Sequence, residues 1–166
     1  MEQDIIAEYN NTAEDLLKVI DEFPPQQINT IAYEGCWTAA QVIIHVTKSN
    51  NSIAQALTLE AKEAHRKPDE RVEELENIFM NFNTQLKSPD FIIPAPGVYN
   101  KETVIDALNQ SITQLENQSD KANLSGAIRH PAFGDITKLE LLHFVVYHTK
   151  RHIHQLKKIY GLVKNI

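Results

Sequence analysis

The residues best suited to chemistry in this sequence are histidines. His148 and His152 stand four positions apart, about 40° around a helix of 3.6 residues per turn, so both imidazoles can converge on one ion. Leu141, Val145, Gln155 and Ile159 fall on the same stripe, which means the pair points inward. His45 supplies a third ring, one turn after Val42 on a face continued by Ser49, Ile53 and Ala56. An inward imidazole must find a partner, because leaving it unsatisfied costs on the order of 1–3 kcal/mol. If the two helices are neighbours, the three rings form a facial cap with nitrogens about 2.0–2.1 Å from a zinc ion, leaving positions open for water or substrate. Zinc, nickel, copper and iron all accept imidazole, so the residues alone do not choose the metal. A plainer reading, three hydrogen-bonded core histidines, stays open on spacing alone.

Other polar residues are placed by the same geometry. Gln155 can orient a ligand ring or a bound water. His143 and His154 share a face away from the 148/152 stripe and are expected at the surface or behind the ligands. His65 and His130 fall in expected loops and read as solvated. Tyr147, Arg151, Glu34 and Glu140 are candidate acid, base or anion-binding groups, but spacing assigns none of them a catalytic role. Cys36 precedes a helix cap with no histidine beside it and reads as structural.

The elements that must hold these residues are helical. Ile5, Ile6, Tyr9, Leu16, Leu17 and Ile20 predict a first helix over 3–22, ending before Pro24-Pro25. Thr38 and Gln41 have capping-box spacing and open a second helix that carries His45 on through Leu57. Val72, Leu75, Ile78, Phe79, Phe82 and Leu86 predict an additional helical segment over 69–87, followed by a loop over 91–100 containing Pro94, Pro96 and Gly97. Val104, Leu108, Ile112 and Leu115 mark a third helix over 101–120, and 123–135 reads as a connection. Thr137 and Glu140 form another capping box at the start of the fourth, with Gly161 as its stop. The expectation is an all-α four-helix bundle forming one domain over 1–166, with an extra short helical segment and loop between helices two and three.

Composition narrows the function. The 166 residues are 42% hydrophobic and 23% charged with only five glycines, as expected of a folded domain. A net charge of −6 argues against nucleic acid and anionic membranes as partners. The lone Cys36 forms no intrachain disulfide, the acidic start carries no secretory signal, and no apolar run reaches membrane-span length, so a cytoplasmic protein is expected.

Two stretches add a resemblance. Gly35-Cys36-Trp37-Thr38-Ala39-Ala40-Gln41-Val42-Ile43-Ile44-His45 pairs a tryptophan and a small hydroxyl residue with the helix-two histidine. About a hundred residues on, Tyr147-His148-Thr149-Lys150-Arg151-His152-Ile153-His154-Gln155 contains H-x-x-x-H-x-x-Q, preceded by Pro131, Phe133, Gly134 and Leu139. In this order over nearly the whole length, the chain resembles the DinB/YfiT-like superfamily of four-helix metalloproteins. The resemblance implies that His45, His148 and His152 bind zinc, nickel or another divalent ion with water completing the shell, and that the chain forms a homodimer. It also implies a metal-dependent enzyme acting on a small molecule, as a thiol S-transferase using a low-molecular-weight thiol or as a hydrolase. The alternative is a noncatalytic metal-binding bundle that serves protein interaction or stress response. This chain departs from the family in carrying His154 where relatives often have glycine.

Overall fold

Local capping chemistry fixes where the long helices begin. Gln41 donates its backbone N–H to Thr38 Oγ1 at 3.2 Å while the Thr38 N–H donates to Gln41 Oε1 at 2.9 Å, so two otherwise orphaned amides are satisfied at once. Thr137 and Glu140 repeat the arrangement at 3.1 and 2.9 Å. Asn100 accepts from the Thr103 N–H at 2.9 Å. The computed structural model describes residues 2–166 and contains α1 (Glu2–Asp21), α2 (Ala39–Leu57), α3 (Val72–Phe79), α4 (Lys101–Ser119) and α5 (Lys138–Val163). A two-stranded hairpin, β1 (Ala127–His130) and β2 (Gly134–Thr137), precedes α5.

The four long helices form the bundle, with α2 packed on α4 and α5, α1 on α5, and α3 laid against α5. Leu16 and Ile20 of α1, Val42 and Ile43 of α2, Leu108 and Leu115 of α4, and Leu141 and Leu142 of α5 are almost completely withdrawn from water. Each such side chain contributes about 1.5–3 kcal/mol relative to an exposed one. This shared core seats α2 beside α5. No helix among the described residues is long and apolar enough to cross a membrane.

Three sequence expectations are corrected. The helix expected over 69–87 spans only Val72–Phe79. The Asn81 side chain accepts from the Asn83 N–H at 3.2 Å, offering the backbone a turn in place of a helix. Arg151 then draws the carbonyls of Phe79, Asn81 and Thr84 toward α5, so Phe82 leaves the helical stripe and stacks on His154 at 4.2 Å between centroids. The connection over 123–135 contains the antiparallel hairpin, in register from Ala127↔Thr137 to His130↔Gly134. Gly134 sits at φ +67°, a conformation glycine takes without a Cβ penalty. Finally, α5 runs through Gly161 to Val163 without the left-handed stop expected there.

Candidate metal centre

The α2–α5 contact brings three rings together. His45 Nε2 lies 3.0 Å from His148 Nε2, and His152 Nε2 lies 3.1 Å from the same atom. All three ligating atoms fall within 4.8 Å of one another. The residues are 1%, 5% and 8% exposed, so the cluster is buried.

The outer nitrogens reveal the state of the inner ones. A carbonyl can only accept, so His45 Nδ1–H donates to the Ile92 oxygen at 2.9 Å. His152 Nδ1–H donates to Gln155 Oε1 at 2.7 Å. In each neutral ring the facing Nε2 is then a bare lone pair. His148 Nε2 can give a proton to only one of them, which leaves at least one buried acceptor unsatisfied. Extra protons are disfavoured: burial lowers the pKa of His45, takes that of His148 well down with help from the neighbouring rings, and pushes His152 down to about 3. The centre therefore concentrates neutral donors at one point.

Those residues fit a divalent ion. Nitrogens about 2.0–2.1 Å from one ion, at angles of roughly 90–110°, are separated by about 2.8–3.4 Å. The observed 3.0 and 3.1 Å lie inside that window. Ring orientation through Nδ1 acceptors is the usual outer support of a histidine metal site.

Space adjoins the centre on two sides. A mainly apolar cavity of about 250 Å³ is bounded by the three histidines, Phe79, Phe133 and Phe144. A more polar cleft of about 730 Å³ reaches His152, Gln155, Arg151 and Cys36. Leu86, Lys87 and Ser88 belong to the walls of both. The stretch 80–93 between α3 and α4 is fastened by the Ile92 carbonyl on His45, the Ile93 carbonyl on Lys48 Nζ at 3.0 Å, and Arg151 on the Asn81 carbonyl.

The remaining sequence candidates are dispersed. Gln155 touches the centre through His152. Arg151 borders both spaces, but its guanidinium is committed to backbone carbonyls rather than free for an anion. Tyr147 borders neither cavity; it is buried 6.0 Å from the His143 ring, and burial, reinforced by Glu76 and Glu8, pushes its phenol up to about 12. Glu140 is a structural anchor. Burial opposes its charge, yet Arg66 at 2.5 and 2.7 Å and the N–H groups of Thr137 and Arg71 outweigh that cost and hold its carboxyl below the ordinary value. Glu34 and Cys36 line the polar cleft, where Cys36 Sγ accepts from the Tyr33 N–H at 3.4 Å. His65 and His154 are exposed and His143 is half-buried.

One expectation here is reversed. His130 is not solvated but 5% exposed, on the inward side of β1 together with Ile128. The alternation in Ala127-Ile128-Arg129-His130, followed by a turn ending at Gly134, is the signal that could have placed it. Nothing in the sequence singled out the Ile92 carbonyl, because its role is set by a tertiary contact.

Two packed helices of a four-helix bundle thus aim three buried imidazoles at one point, a group that could hold a metal ion. The chain belongs to the DinB superfamily, whose model matches residues 8–156. It is similar to the uncharacterized protein YuaE of Bacillus subtilis, 23% identical over 127 residues that cover 74% of this chain and 76% of that protein. Two solved structures share the fold. YfiT from Bacillus subtilis, described as a probable metal-dependent hydrolase with an unusual four-helix bundle topology, superposes with a TM-score of 0.63 at 18% identity, covering 96% of this chain and 86% of that one. A conserved protein from Enterococcus faecalis gives 0.67 at 15% identity, covering 100% and 98%.

Proposed function

We propose that this chain is a divalent-metal-dependent enzyme that uses water or a small thiol as nucleophile on a small electrophilic substrate, as a hydrolase or a thiol S-transferase. The reading is carried by one observation: three buried Nε2 atoms face one another, with too few protons to satisfy them. His45, His148 and His152 would hold the ion, zinc and nickel being the first metals to test. When bound, a divalent ion there supplies the Lewis acidity that brings a water or thiol toward its anion near neutral pH.

The chain's own residues do the rest. The Ile92 carbonyl and Gln155 keep the ring protons on Nδ1, so the Nε2 lone pairs stay available. The phenylalanine wall restricts water, which strengthens electrostatic interactions within the site. The description of YfiT as a probable metal-dependent hydrolase supports the hydrolytic form of the reading. Homodimerisation and work in the cytoplasm, where Cys36 would remain reduced, belong to the same proposal.

The test combines elemental analysis of untagged protein with a turnover screen of small esters, and of thiols with model electrophiles. One equivalent of metal and measurable turnover are expected, both lost in His152→Ala while the helical circular dichroism persists. Metal-free parent protein, or turnover unchanged in His152→Ala, would overturn the reading. Full metal occupancy with no turnover would leave the noncatalytic metal-binding module.

A further inference from the structure

A fourth histidine, distant in sequence from the three at the centre, borders the same apolar cavity. His130 ends β1 on its inward face, and β2 runs directly into the capped start of α5, the helix that carries His148 and His152. The Ala132 backbone N–H, which can only donate, approaches His130 Nδ1 at 3.1 Å. The ring proton of neutral His130 is therefore on Nε2. That nitrogen has no hydrogen-bond partner among the described residues, yet it is not among the sealed, unsatisfied atoms of the interior. Burial lowers the ring's pKa, which keeps it a neutral donor at physiological pH.

Between this donor and the centre runs an aromatic wall. His130 lies 5.1 Å from Phe133, Phe133 lies 4.8 Å from Phe144, and Phe144 lies 5.1 Å from His148, centroid to centroid. No acidic side chain is among the described residues lining the cavity. Its volume of about 250 Å³ exceeds the roughly 150 Å³ of an apolar cavity known to take benzene. Ser49, Ser52, Ser88 and Lys87 also line the cavity, and Arg151 does so with its guanidinium committed to backbone carbonyls. A mainly apolar space with a neutral ring donor in its wall favours a molecule with a hydrophobic body and an acceptor.

We propose that His130 is a substrate-binding residue whose Nε2–H donates to an acceptor oxygen on a neutral substrate with an apolar, ring-sized body filling the space between His130 and the three histidines. The inference rests on the reading of this cavity as the site of the metal-dependent reaction. It adds the class of compound the cavity takes and the residue that orients it.

The test is a titration of the full-length protein, labelled with ¹⁵N-histidine, with acetophenone and with its hydrocarbon isostere α-methylstyrene. Neither probe depends on metal coordination, so zinc-loaded and chelator-treated samples are both measured. The Nε2-protonated tautomer of His130 should be seen directly, with acetophenone binding about three- to tenfold more tightly, the worth of one neutral hydrogen bond. His130→Phe should abolish that preference while still binding α-methylstyrene, and His130→Gln, which keeps an N–H donor, should restore part of it. Equal affinities in the parent, no binding of either probe, or a preference surviving in His130→Phe would overturn the proposal. If both variants misfold, the parent's preference and the ring-nitrogen shifts decide it alone. The zinc content of the same samples is read separately, so a failed metal centre and a failed His130 assignment are told apart.

Discussion

At the scale of single residues, the centre depends on where protons sit. Gln155 fixes the His152 tautomer, so Gln155→Leu should weaken zinc binding by about 10–100-fold with the helical signal retained, as measured by competition with a chromogenic chelator. The same rings set the pH response. In the metal-free chain, burial holds His45, His148 and His152 below the ordinary histidine value, with His130 and His143 shifted the same way. As pH falls below about 6.5, the unfolded chain therefore takes up more protons than the folded one, and stability declines. Calorimetry in the presence of a chelator should give a Tm that is steady from pH 7 to 8 and falls between pH 6.5 and 5. The three ring positions were legible because the four-residue spacing and the inward stripe each follow from helix geometry. The carbonyl that orients His45 was not, since a distant loop supplies it.

At the scale of elements, side chains that tie segments together decide the outcome. Arg66→Met leaves the fully buried Glu140 carboxylate without its cationic partner and should cost about 3 kcal/mol or more in urea unfolding. Arg151→Met removes the tether on Phe79, Asn81 and Thr84, so hydrogen exchange should quicken over residues 80–93 while α5 stays protected. These tethers also mark the limit of sequence reasoning. The long helices α1, α2, α4 and α5 were legible because periodicity and capping residues are local. The early end of α3 was not, because Phe82 and Leu86 continue the apolar spacing and only Arg151 and Asn81 break it. The hairpin is hard to read from sequence because each strand is only four residues long, which leaves its two-residue alternation a weak signal, and the burial of His130 goes with it.

At the scale of the whole molecule, an ion that binds only the folded centre stabilises the fold by mass action. Zinc at about a thousand times its dissociation constant should add about 4 kcal/mol, which for a chain of this length raises Tm by roughly 8–16 °C. Scanning calorimetry with and without chelator measures the difference, and His45→Ala should show none. The stretch Leu86–Ser88 matters on this scale too, because it is a party wall. A bulkier or smaller side chain there remodels the greasy chamber and the wet one together. The shapes of the two spaces are therefore coupled across the partition, and independent reshaping has to come from the far walls: the hairpin for one room, the approach to α2 for the other.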